Sequence, residues 1–189
     1  MLRYQLTRPL AFAWIRGGGL NRLRYGFPLI ATLIGFLLWG SLWKLGIVLP
    51  PRKIAETVSS GLVTLPGFYI AALAAVSSFQ SNYLDQTIEG EGAQIQVLSK
   101  GIMHSIDLTY RMYISYLFSY LSIASLILFI FLSLSDDITD SMHFIFSTNV
   151  KMALNIIGSL ILSFWIWNLI TTTLHGLYFL VERMHRPYA

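Results

Sequence analysis

The chain has 189 residues, 55 % of them hydrophobic and only 12 % charged, whereas about a quarter of residues are charged in a soluble domain. The charges are clumped and leave long uncharged stretches, which marks an integral membrane protein and speaks against a soluble enzyme with a large core. No cysteine is present, which excludes disulfides and thiolate metal sites, and the net charge of +4 matters less than where the charges lie.

The first 26 residues hold Arg3, Arg8, Arg16, Arg22 and Arg24 and no acid. Beside an apolar span, such a basic segment marks the cytoplasmic membrane surface more often than nucleic-acid binding, and no direct nucleic-acid contact is expected. Leu2, Leu6, Leu10 and Trp14 recur at helical spacing with arginines on other faces. This predicts a short interfacial helix with Trp14 at headgroup depth; an unstructured basic tail is the alternative. Pro9 argues against one unbroken helix, and the glycines at 17–19 form a flexible joint. The basic stretch is long for a signal peptide and no small-x-small site follows the apolar run, so it reads as retained.

Four apolar stretches follow. The first covers 27–49, with Lys44 near its outer end and PPRK at 50–53 closing it. The second covers 58–79 and forms a helical hairpin with the first. A polar segment, 80–109, carries Asp85, Glu89, Glu91, Lys100 and Asp107. The third span is 112–134, an acidic loop SDDITD stands at 135–140, and the fourth span is 152–181. The fourth exceeds the ~20 residues a bilayer needs, so its last turns project beyond it. The prediction is an all-α integral membrane protein: one membrane domain with four transmembrane helices and a short N-terminal interfacial helix.

Orientation follows from lysine and arginine in the flanks. With the N-terminus inside, the cytoplasmic side holds the five N-terminal arginines, Lys100, Arg111, Arg183 and Arg186. The outer side holds Arg52, Lys53, Lys151 and Lys44. Both termini and 80–109 are therefore placed in the cytoplasm.

Within LPGFYIAALAAVSSF at 65–79, Gly67, Ala71 and Ala75 step by four. Close packing over small residues is a main force between helices in lipid, so this face reads as a packing surface, within the chain or between subunits. Pro66 should kink the helix. In the fourth span Asn155, Ser159, Ser163, Trp167, Thr171 and His175 also recur by four. Each such step drifts about 40°, because a turn holds 3.6 residues. The row therefore winds around the helix and reads as interhelical hydrogen bonding, with a pore lining as the alternative. Tyr110, Tyr113 and Tyr116 form an aromatic belt at the cytoplasmic end of the third span, and Arg111 beside them anchors the topology.

No catalytic set appears. His104, His143, His175 and His185 lack metal-ligand spacing. Asp136, Asp137 and Asp140 are weak evidence for a cation, and the glycines at 17–19 and GEG at 90–92 lack phosphate-loop context. No enzyme, cofactor or metal is expected.

Three stretches, LPGFYIAALAAV at 65–76, LTYRMYISYLFSYLS at 108–122 and HGLYFLVERMHRP at 175–187, resemble the KwaA family, the four-span membrane subunits of the Kiwa anti-phage defence system. The resemblance covers the second span through the C-terminus and rests on hydrophobic texture. It implies a homo-oligomeric, multi-pass protein of the bacterial inner membrane. It further implies sensing of phage at the envelope and signalling to a soluble, DNA-binding cytoplasmic partner like KwaB. The expectation is a non-enzymatic sensor or scaffold that homo-oligomerises over Gly67, Ala71 and Ala75. It recruits or regulates an effector through Asp85, Glu89, Glu91 and Lys100. A small oligomeric channel built around the fourth-span row is the alternative.

Overall fold

The computed structural model describes residues 2–15, 20–46, 51–88, 93–99, 102–142 and 148–183. Four helical stretches, Arg22–Leu42, Glu56–Ser78, Tyr110–Leu134 and Ala153–Glu182, are long and apolar enough to cross a membrane. The protein is an all-α membrane protein with a single small hairpin of sheet among the described residues.

The first span opens with a π-helical turn, Arg22–Gly26, and continues as a helix over Phe27–Lys44. It stops short of the expected 49 because Gly46 adopts φ +78°, the left-handed conformation that ends helices and suits glycine. The next helix starts at Pro51 and runs to Leu62. PPRK thus opens a helix rather than closing one, since proline fits the first turn, where its missing N–H costs nothing.

The second span is broken, not merely kinked. Helix Pro51–Leu62 gives way at residues 63 and 64 to helix Leu65–Ser78, with Pro66 in its first turn. Thr64 Oγ1 donates to the Gly61 carbonyl at 3.2 Å and the Phe68 N–H to the Thr64 carbonyl at 3.2 Å, bridging the break. Leu62, Tyr69 and Val76 are buried. They stand seven residues apart, two helical turns each, and so share the face that packs on the third span.

The described residues of the 80–109 segment, 80–88, 93–99 and 102–109, are folded. Strands Gln94–Ser99 and Ile102–Asp107, here β1 and β2, pair antiparallel with Ile95 opposite Ile106 and Val97 opposite His104. Leu84, Ala93, Ile95 and Leu108 are buried beneath the bundle. The stretch also caps the third span. The first N–H groups of a helix have no partner within it. Here the Tyr110 N–H donates to Gln86 O at 3.2 Å and the Arg111 N–H to Leu84 O at 2.8 Å. The Met112 N–H donates to Thr109 Oγ1 at 3.3 Å.

The third span is a helix over Tyr110–Met142. It carries SDDITD as helix, correcting the loop expected at 135–140, because no proline or glycine interrupts 110–142. It is the most enclosed span, with Tyr113, Ile114, Leu117, Phe118, Leu121, Ala124, Leu128 and Leu132 buried. The fourth span runs over Thr148–Tyr178 and ends in a π-helical turn, Phe179–Arg183.

The N-terminal segment, helix Leu2–Thr7 followed by a 3-10 turn over Arg8–Trp14, packs on the third span. The face turned to the chain is not the one that carries Trp14. Trp14 is 62 % exposed, whereas Ala11, Phe12 and Ile15 are buried. The change from α to 3-10 winding at Pro9 rotates the later residues off a 3.6-residue stripe.

Candidate functional site

The unusual group is Arg24, 4 % exposed, in the first turn of the first span. Pro28, four residues on, has no N–H to give the Arg24 carbonyl, and Asn168 Nδ2 of the fourth span supplies that bond at 2.7 Å. Asn168 Oδ1 in turn accepts from Tyr120 Oη at 2.9 Å. Arg24, Pro28 and Thr32, one turn apart, are all buried.

The Arg24 guanidinium is covered by the N-terminal segment. Its Nη1 donates to the carbonyls of Ala13 at 3.1 Å and Ile15 at 3.0 Å, and its Cζ lies 4.4 Å from the centre of the Phe12 ring. Phe12 itself sits against Tyr113 and Tyr120, with ring centres 5.7 and 5.5 Å away. Arg24 Nε and Nη2 are buried with no hydrogen-bond partner, and so is Thr172 Oγ1. Among the described residues no carboxylate reaches Arg24.

This overturns the membrane-surface role expected of Arg24. Burial of a charge is costly, and here it is offset in part by carbonyl bonds and a cation–π contact. Arg8 also turns inward. It donates to Gln96 O at 2.8 Å and to Tyr116 Oη at 2.5 Å, tying the N-terminal segment to β1 and to the third span. Tyr4 Oη accepts the Leu98 N–H at 3.1 Å and adds a second tie to β1. Arg22 is exposed. The side chain of Arg3, and Arg16 as a whole, lie outside the described residues.

The polar row of the fourth span is not one seam. Asn155 is exposed, Ser159 and Ser163 are half-buried, and Thr171 donates to its own Trp167 carbonyl at 2.7 Å. Among the described residues, His175 is the member of the row with a hydrogen bond to another span, meeting Tyr113 Oη at 2.9 Å, while Trp167 lies beside Gly35 of the first span. The groups that face protein are Asn168, Thr172, Thr173 and His175; Thr173 Oγ1 is 2.6 Å from Tyr69 Oη of the second span. Sequence reasoning missed Asn168, Thr172 and Thr173. Asn168, Thr172, His175 and Phe179 step by four, three and four, close to the helical period, and that was the available signal.

Gly67, Ala71 and Ala75 are all exposed, and a Cβ built on Gly67 meets nothing within 4 Å. Packing within the chain is therefore not their role. Asp85, expected to dock a partner, is held by Arg111, with Nε–Oδ1 at 2.7 Å and Nη2–Oδ2 at 3.0 Å, and its side chain stays exposed. Those bonds hold its carboxyl below the ordinary carboxylate range. Glu89, Glu91 and Lys100 lie outside the described residues. An apolar cleft of about 250 Å³ between the first and fourth spans is lined by Leu29, Thr32, Leu33, Leu160, Ile161 and Phe164. Among the described residues no three His, Asp or Glu side chains gather into a metal-binding group.

Fold and site together define a multi-pass α-helical membrane protein with a buried arginine under an N-terminal cover. No protein-family model matches the chain, and no curated protein or solved structure matches it either.

Proposed function

We propose that this protein is a non-enzymatic membrane sensor or scaffold that homo-oligomerises and recruits or regulates a soluble cytoplasmic effector. The resemblance to the KwaA family points to antiviral defence in a bacterial inner membrane with a KwaB-like partner, and the lysine and arginine flanks support cytoplasmic termini. The observation that carries the reading is the Gly67, Ala71 and Ala75 face. It is exposed on a span whose other face, through Leu62, Tyr69 and Val76, already packs on its own chain. Small residues permit close helix approach in lipid, so this face suits a second copy. In this reading the effector docks on the β1–β2 pair, which Arg8 and Tyr4 tie to the N-terminal segment.

The test is Ala71→Cys in a chain that has no other cysteine. Oxidative crosslinking in native membranes should yield a dimer from Ala71→Cys and none from Ile161→Cys, an exposed position on the fourth span. Equal yields from both would count against the face.

The channel reading keeps one supporting observation, the exposed Asn155 in the fourth span. It requires ion flux in liposomes that falls in Asn155→Leu; flux equal to that of empty liposomes removes it.

A further inference from the structure

Two arginines in this chain are built alike, with one difference. Arg111 gives Nη1 to two backbone carbonyls, Val76 O and Phe79 O, both at 2.7 Å, and gives its Nε/Nη2 edge to the Asp85 carboxylate. Arg24 likewise gives Nη1 to two carbonyls, Ala13 O and Ile15 O. Its Nε/Nη2 edge holds nothing. That edge is the planar fork that binds carboxylate and phosphate oxygens in pairs. The contacts that the guanidinium does make, the Phe12 ring at Cζ and the carbonyls of Ala13 and Ile15 at Nη1, all come from one short segment.

The geometry points to Arg24 as a phosphate-binding residue that the N-terminal segment covers and uncovers. Arg24 lies in the first turn of the first span, two residues from the exposed Arg22, and basic residues that flank a span are the ones that meet lipid phosphates. Its unpaired N–H groups have no accessible surface, and lifting of the segment around Ala11–Ile15 would remove the Phe12 ring and both carbonyl bonds and open the guanidinium to a phosphate. A ligand that binds only the uncovered state shifts the population toward it. Lifting would also withdraw Arg8 from Gln96 and Tyr4 from Leu98, so occupancy of the site would be felt at the β-hairpin. The ligand class is a phosphate anion, from an anionic lipid headgroup or from a soluble phosphate.

The experiment uses the full chain with Ala11→Cys, a buried position, and Trp14→Cys as an exposed reference. The rate of maleimide labelling at Ala11→Cys is divided by that at Trp14→Cys, which cancels surface effects on the reagent. It is measured in phosphatidylcholine vesicles, in vesicles that also contain phosphatidylglycerol, and in phosphatidylcholine vesicles with inorganic phosphate. The expected result is a several-fold higher ratio with phosphatidylglycerol. A rise with inorganic phosphate instead assigns the same site to a soluble ligand. In an Arg22→Gln background the response persists; in Arg24→Gln the ratio no longer depends on phosphate from either source. A ratio unchanged by both phosphates with Arg24 in place overturns the proposal. So does an undiminished response in Arg24→Gln. Arg24→Lys keeps the charge but not the fork, and a full response in that variant also overturns it.

Discussion

Arg111 joins three parts of the chain at one point. Its Nε and Nη2 hold both oxygens of Asp85, and its Nη1 reaches the carbonyls of Val76 and Phe79 at the end of the second span. The last carbonyls of a helix lack partners within it, so one side chain closes the second span, opens the third and fixes the loop between them.

Acid should loosen this clamp. Hydrogen bonds from Arg111 depress the Asp85 carboxyl in the folded protein, so its stabilising effect is present above the ordinary carboxylate pKa of about 3.9. It is lost as pH falls through the depressed folded value. Thermal unfolding in detergent should show wild type losing Tm below about pH 4 more steeply than Asp85→Asn. The Asn variant should start lower at neutral pH. Parallel acid slopes for the two proteins would exclude the clamp as a source of pH dependence.

A methyl group at Gly176 should be costly. Its Cβ would stand 2.8 Å from Leu117 Cδ2 and 3.3 Å from Phe118 Cζ, both on fully enclosed side chains of the third span. Overpacking of this kind costs roughly 1–3 kcal/mol, and Gly176→Ala should lose that much in equilibrium unfolding from mixed micelles. Gly158→Ala, where nothing lies within 4 Å, should be neutral or gain up to ~1 kcal/mol from helix propensity.

Asn168 should matter more than the neighbouring polar positions. Asn168→Ala strands the Arg24 carbonyl and Tyr120 Oη without their bonds. Burying unpaired groups costs about 1–3 kcal/mol. Thr171→Val, which removes only a bond to its own backbone, should stay within about 0.5 kcal/mol of wild type. The same unfolding assay ranks the two.

Gly67→Leu should separate assembly from folding. The position is exposed and open, so the monomer should unfold as wild type does, while the crosslinked dimer at Ala71→Cys should fall several-fold. A loss of monomer stability without loss of dimer would reverse the assignment.

The four spans were legible because uninterrupted apolar runs decide insertion before any packing is considered. Their ends were less so. The helix stop near Gly46 depends on a backbone conformation, and the helix through 135–142 on the absence of a breaker that a run of acids disguised. The β-hairpin had a readable signal in the alternation Gln94, Ile95, Gln96, Val97, which the polar composition of 80–109 obscured. The fourth-span row winds around its helix as its spacing requires, from the exposed Asn155 to His175 against Tyr113. Strict steps of four drift about 40° each, so Asn155 and His175 cannot share a partner. Arg24 was not legible at all. It looks like Arg22 in sequence, and only Asn168 and the N-terminal cover, brought together by tertiary packing, set it apart.

Native mass spectrometry reads homo-oligomerisation and effector binding in one experiment. The tagged chain would be purified in mild detergent from cells that express its native gene neighbourhood. A defined homo-oligomer carrying a soluble protein is the expected result. A bare monomer would contradict it.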